Sequence, residues 1–176
     1  MPTFDIISIR LAEKHELETL REIGRATFAE AFSARNATSD MDKYLNESFS
    51  LEKLEAELAH PESLFFFAEF NGQVIGYLKV NWSEAQTESL LDNALEIERI
   101  YVLAEYHGKN VGKKLFDQAL QLARQKKMDA IWLGVWEENT KAIRFYRKHG
   151  FVEFGKHLFR LGEDEQTDIL MKLELK

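Results

Sequence analysis

Residues 98–116 read ERIYVLAEYHGKNVGKKLF, and they contain the end of one element and the start of another. The run Leu95–Val102 predicts a strand. From Val111 the pattern changes: Val111, Leu115, Ala119 and Leu122 fall on one stripe of a helix predicted to run to Lys127. Between them lies a short loop holding Gly108, Asn110 and Gly112. The first N–H groups of a helix have no intrahelical partner, and the helix dipole adds positive potential there. Glycines let a phosphate come close to the backbone. Lys109, Lys113 and Lys114 add charge. The loop therefore reads as an anion site, although a plain strand-to-helix turn with glycines fits the same residues. Two specific phosphate loops are excluded. No Gly-Lys-Ser/Thr follows four variable residues after a glycine, and no three-glycine G-x-G-x-x-G occurs.

Working outward, the chain alternates short elements. Ile6–Leu11 predicts a strand, and Glu13–Phe32 a helix with Leu17, Leu20, Ile23, Thr27 and Phe28 on one face. Ser39 suits the N-cap of a short helix through Tyr44-Leu45, and Ser50 that of a helix ending before Pro61. Ser63–Phe70 and Gln73–Trp82 read as strands joined by the turn signal Asn71-Gly72. Ser83–Asn93 is polar and reads as a loop. Beyond the central helix, Ala130–Trp136 is an apolar strand. Asn139–His149 is a helix closed by Gly150, and Phe151–Leu161 and Thr167–Leu175 are two antiparallel strands. The order β-α-α-α-β-β-β-α-β-α-β-β predicts an α/β (α+β) fold, a mixed sheet with helices on both faces.

Bulk properties narrow the function. The 176 residues, with no linker or repeat, suit one domain over 1–176. The net charge of −7 argues against nucleic acid, which needs a concentrated positive surface. It suits cationic ligands, and it equally serves solubility. The absence of cysteine excludes disulfides, thiolate metal sites and a cysteine nucleophile. His15, His60, His149 and His157 show no metal-ligand spacing, so no metal is expected. No apolar run reaches the ~18 residues of a membrane span. The opening MPTFDIISIRLAEKHE lacks a basic segment followed by an apolar core, so a cytoplasmic location is expected.

At two places the chain resembles the GNAT N-acetyltransferases. The loop is similar to their motif A, Q/R-x-x-G-x-G/A, aligned on His107, Asn110 and Gly112. It departs from that pattern at His107, where Gln or Arg is usual, and at Asn110, where the first glycine stands. Asn is the best non-glycine residue for a left-handed backbone. The run NTKAIRFYRKHGF, Asn139–Phe151, matches motif B, N-x-x-A-x-x-F-Y-x-x-x-G-F, at every fixed position. The resemblance covers residues 65–175 well and the N-terminal helices more loosely. It implies a GNAT fold: one mixed, mostly antiparallel, twisted sheet of about seven strands. A narrower resemblance lies in EIERIY (Glu96–Tyr101), IWLGVWE (Ile131–Glu137) and DEQTD (Asp164–Asp168). These runs are similar to those of the bacterial PaiA-type acetyltransferases, which act on spermidine and spermine.

The resemblance implies acetyl transfer from acetyl-CoA to a primary amine, with a polyamine as the leading acceptor. A protein N-terminus or lysine, an amine antibiotic, or a non-catalytic CoA-binding role are the alternatives. A lysine-like amine is only about one part in a thousand neutral at pH 7, so a base is needed. The family places a glutamate on the strand before motif A. Alternation would put Glu96, Glu98, Ile100 and Val102 on one face. Counting back from Val102 favours Glu96, and Glu98 is a rival. Motif B places the Tyr146 hydroxyl beside the coenzyme sulfur, as the acid for the departing thiolate. The backbone of Ile100, Tyr101 and Val102 should pair with the pantetheine arm, with the Val102 N–H polarising the carbonyl. His107, Gly108, Lys109, Asn110, Val111, Gly112 and Lys113 are the expected pyrophosphate contacts.

Asn139 is an expected ligand of the pantetheine arm, a cap of its own helix, or both. Lys148 and Arg147 either meet the phosphates or are solvated. The acceptor pocket should be lined by the first two helices and their loop, Phe28–Asp42, and bordered by Ser83–Asn93. There Glu84, Glu88 and Asp92 either attract a polycation or form an ordinary acidic loop. Trp82 and Trp136 read as core. A monomer or a homodimer is expected.

Overall fold

The sheet grows from a central hairpin. β2 (Ser63–Phe70) and β3 (Gln73–Asn81) are joined at Asn71 and Gly72, both with positive φ (51° and 77°), as a two-residue hairpin turn requires. The computed structural model describes residues 6–32 and 38–175. β1 (Ile7–Leu11) pairs antiparallel with β2, and β4 (Ala94–Val102) antiparallel with β3. β5 (Ala130–Trp136) joins β4 in parallel, which demands a crossover, supplied by α4 (Val111–Gln125). After α5 (Thr140–Lys148), β6 (Val152–Leu161) and β7 (Asp164–Glu174) close the sheet as a hairpin with β7 against β5. The strand order is β1-β2-β3-β4-β5-β7-β6, seven strands with one parallel pair among the described residues.

Each face of the sheet has its own core. α4 and α5 cover one, where Val111, Leu115, Ala119, Ile143 and Tyr146 pack on Leu78, Val80, Leu95, Ile97 and Leu133. The N-terminal helices cover the other: α1 (Leu17–Phe32), α2 (Thr38–Ser48) and α3 (Leu51–Ala59) bury Leu20, Ile23, Phe28, Met41 and Leu54 against Phe65, Phe67 and Tyr77. This is the predicted class and element order.

Three local expectations are corrected. Ser39 lies inside α2, which starts at Thr38 and runs to Ser48. The Ser50 cap is present, accepting from the Lys53 N–H at 3.2 Å. β7 begins at Asp164, not Thr167. Gly162 at φ 64° turns the chain tightly enough to pair Leu161 with Asp164, and a strand beside the solvent-facing edge strand needs no apolar pattern there. The third correction concerns β4. Lys79 pairs with Arg99 but Val80 pairs with Ile97, so Glu98 is an extra residue, a β-bulge. The bulge shifts the phase of the strand. Ile97, Ile100 and Val102 pack toward α4, whereas Tyr101 packs toward the N-terminal helices. Glu96, Glu98, Ile100 and Val102 therefore do not share one face.

Candidate active site

The pairing of β4 with β5 runs from Ala94–Ala130 to Ile97–Leu133 and stops, although both strands continue. Beyond Ile97 they part, and the gap between them is a cleft of about 650 Å³. It is lined by Glu98, Ile100, Tyr101 and Val102 on one side and by Gly134, Val135 and Trp136 on the other. Two strand edges face each other across it. Leu103 donates its N–H to Ile75 O at 2.9 Å, so by alternation the N–H of Val102 points away from β3, into the gap. Gly76 keeps β4 in place, because a side chain there would meet Tyr101 O at 2.7 Å.

At the mouth stands the N-terminus of α4. Gly108 (φ 81°) and Asn110 (φ 63°, ψ 17°) both adopt the left-handed conformation, and Asn110 caps the helix without a side-chain bond. The first helical donor is Lys114 N–H, to Asn110 O at 3.1 Å. The N–H groups of Val111, Gly112 and Lys113 find no acceptor among the described residues, as the first turn of a helix requires of an anion site. No atom lies within 4 Å of where a Cβ would stand on Gly112, so the approach is open. An extended amide-bearing arm between the strands and a phosphate group at α4 fit these residues.

The remaining predicted ligands divide. His107, Gly108, Asn110, Val111, Gly112, Lys113 and Asn139 line the cleft. His107 is turned inward, with Nε2 donating to Val102 O at 2.7 Å, so that nitrogen is taken. Asn139 caps α5, accepting from Ala142 N–H at 3.2 Å. Lys109 lies instead over the Tyr106 ring, 5.4 Å from its centroid. Lys148 is exposed and away from the cleft, and Arg147 pairs with Glu153 at 2.5 Å. Lys141, about two turns earlier on α5, lines the cleft in their place. Spacing on α5 alone could have found it, since Lys141 and Phe145 share a helix face. Trp136, read as core, lines the cleft with Phe32, their ring centroids 5.5 Å apart. Of the acceptor-side stretch 28–42, residues 33–37 lie outside the described residues.

The two glutamates differ sharply. Glu96 is buried and does not line the cleft. Its Oε1 accepts from Asn81 Nδ2 (3.0 Å) and Thr87 N–H (2.8 Å), and its Oε2 from Thr87 Oγ1 (2.5 Å). Burial raises its pKa against those bonds. Glu98, pushed out by the bulge, lines the cleft. Its Oε2 lies 2.9 Å from Lys79 Nζ and 3.1 Å from Arg99 Nε. Burial works to raise its pKa, but Arg99 and Lys79 outweigh it and hold the carboxyl below its ordinary value. Glu57 of α3 completes the group, accepting two bonds from Arg99 (3.1 and 3.2 Å) and lying 3.4 Å from Lys79. Across the gap, Tyr146 is 7% exposed, lines the cleft, and its hydroxyl meets no partner among the described residues. Burial raises its pKa, so it stays protonated.

Comparison with known proteins gives these features a context. The sequence model described as the Acetyltransferase (GNAT) family matches residues 22–151. An uncharacterised N-acetyltransferase from the pepI 3′ region of Lactobacillus delbrueckii subsp. lactis is 41% identical over 167 residues, covering 95% of this chain and 96% of the relative. A spermidine N(1)-acetyltransferase of Thermoplasma acidophilum is 28% identical over 149 residues, covering 82% and 88%. The crystal structure of the PaiA N-acetyltransferase from Thermoplasma acidophilum, in complex with coenzyme A, superposes with a TM-score of 0.78 at 25% identity, over 96% of this chain and 99% of that one.

Proposed function

This chain belongs to the GNAT acetyltransferase family, and from that premise we propose that it acetylates a primary amine of a small polycation of the spermidine type, with Glu98 as proton acceptor and Tyr146 as proton donor. The chain is an N-acetyltransferase with acetyl-CoA as its cosubstrate, which supplies the acetyl thioester. The observation that carries the mechanism is the opposition of Glu98 and Tyr146 on the two sides of the cleft where β4 and β5 part.

The roles follow from chemistry. The strand edge at Ile100–Val102 orients the amide arm, and the Val102 N–H faces the position where negative charge develops on the thioester oxygen. The α4 N-terminus, with Lys113, takes the phosphates. Glu98 is ionised at neutral pH. It attracts the ammonium and takes its proton, directly or through water. The amine nitrogen then attacks the acetyl carbon. The C–N bond forms, the C–S bond breaks, Tyr146 gives its proton to the sulfur, and the second proton of the attacking nitrogen passes through water to restore the Tyr146 hydroxyl. Glu96 has a different part: saturated by Asn81 and Thr87, it ties the loop 83–93 to the sheet.

An acceptor screen with acetyl-CoA, read by thiol release, tests this reading. We expect spermidine and spermine to be acetylated faster than lysine peptides or aminoglycosides. Turnover confined to peptides or aminoglycosides would sink the polyamine assignment.

A further inference from the structure

Gly134 opens a hole in the face of β5 that looks toward the N-terminal helices. A Cβ built there would have Asp168 Oδ2 and His157 Cε1 as its nearest neighbours, both at 3.5 Å. Asp168 sits opposite Trp136 in β7, and His157 opposite Asp168 in β6, so all three side chains share that face. Glu98 enters the same space from β4, on the other side of β5. The two carboxylates thus flank the hole from β4 and from β7, on either side of β5. We propose that Asp168 binds the second cationic centre of the acceptor while Glu98 receives the reacting amine; this rests on the acetyl-transfer reading above.

The two carboxylates differ in how they are compensated. Glu98 belongs to a balanced group, in which two cations, Lys79 and Arg99, meet two anions, Glu57 and Glu98. Asp168 belongs to an unbalanced one. His157 places Nε2 3.2 Å from Asp168 Oδ2 and Nδ1 2.9 Å from Glu88 Oε1. Two carboxylates here face one imidazole, so negative charge exceeds positive even with both ring nitrogens carrying a proton, and a bound ammonium supplies the missing counter-charge. Burial raises the Asp168 pKa while His157 lowers it, which agrees with an anion lacking a full counter-charge.

One hydroxyl lies near both carboxylates, and a second near Glu98 alone. Tyr44 of α2, stacked on Phe28 at 4.5 Å, lies in the fields of both Glu98 and Asp168. The Tyr77 hydroxyl is fully buried, has no hydrogen-bond partner among the described residues, and lies in the fields of Arg99 and Glu98. A buried polar group without a partner asks for one. Trp136 and Phe32 give the space an apolar wall suited to the methylenes between two ammonium groups.

The test compares 1,3-diaminopropane with propylamine as acceptors. The protein should prefer the diamine at least about tenfold in kcat/KM, as one charged hydrogen bond allows. In Asp168→Asn that preference should fall about tenfold through KM. In Glu165→Gln, at an exposed site, it should stay. Gly134→Ala fills the hole without a clash and should also reduce the preference, which covers a failure of Asp168→Asn to fold. Equal loss with both amines, or no preference in the unaltered protein, overturns the proposal. If neither amine is acetylated, calorimetric titration of both into the coenzyme A complex decides. A diamine preference lost in Asp168→Asn sustains the anchor while the acetyl-transfer reading falls. Equal binding of both amines overturns the anchor.

Discussion

Thr87 grips both carboxylate oxygens of Glu96, giving its N–H to Oε1 at 2.8 Å and its hydroxyl to Oε2 at 2.5 Å. A second tie from the same loop, Trp132 Nε1 to Gln86 Oε1 at 2.8 Å, closes it over β5. The loop 83–93 is thereby fixed against the sheet. Thr87→Val should raise the acceptor KM several-fold, roughly what one hydrogen bond to a charged group supports. Acetyl-CoA affinity should be unchanged. Steady-state kinetics with calorimetry checks this; a loss of acetyl-CoA affinity instead would contradict it.

Tyr146→Phe removes a hydroxyl that makes no bond among the described residues, so folding and coenzyme binding should hardly change. The kcat should fall by about 10²-fold, the low end for loss of a general acid. Because burial raises the Tyr146 pKa, activity should persist as pH rises through the ordinary range for tyrosine. A pH–rate profile losing activity through that range would remove Tyr146 from the role.

Asn110 holds φ at 63° just before the first turn of α4. Asn110→Gly should be tolerated, whereas Asn110→Ala should cost about 1 kcal/mol in stability and weaken acetyl-CoA binding. Thermal melts with and without the coenzyme read both effects. Equal behaviour of the two variants would show that the left-handed geometry is not needed.

Glu57 bridges Lys79 and Arg99 beneath α3. Glu57→Ala leaves two buried cations to one carboxylate and should destabilise by about 3 kcal/mol. Adding Lys79→Met should recover part of that loss. Urea denaturation measures both, and absence of any recovery would argue against charge as the cause.

Arg10 joins β1 to Glu16 (2.8 and 2.5 Å) and to Glu69 (2.7 Å). Its hydrogen bonds lower the Glu16 pKa to about 2. A depressed carboxyl stabilises the fold above its ordinary pKa and loses that contribution as pH falls toward the folded value. Arg10 is partly exposed, so the contribution is ~1 kcal/mol. Glu16→Gln should therefore differ from the parent at pH 7, and the difference should vanish as pH approaches about 2. A gap that stays constant across this range would rule the linkage out.

Much of this was readable in the sequence, for physical reasons. Helical stripes such as Leu20, Ile23, Thr27 and Phe28, and turn signals such as Asn71-Gly72, report local geometry, so element order emerged whole. The Asn139–Phe151 motif is contiguous and kept its meaning. Interruptions of a period were hidden. Nothing in LEIERIY announces that Glu98 is a bulge, because the bulge is set by pairing with Lys79 and Val80. Associations across the sheet were hidden too. Glu88, His157 and Asp168 come from a loop and two strands and converge over a glycine whose importance lies in what it lacks. Lys148 and Lys141 lie on nearly the same side of α5, about two turns apart, and which end of the helix reaches the gap is decided by tertiary packing.

The extra residue at Glu98 works as a phase shifter. With unbroken alternation, the strand would be locked in one parity from Ala94 to Val102. One inserted residue uncouples the two halves. Ile100–Val102 can keep the geometry one ligand demands while Glu96–Arg99 answers to another. Deleting Glu98 would thus do more than remove a carboxylate: it would swap inside for outside along half of β4.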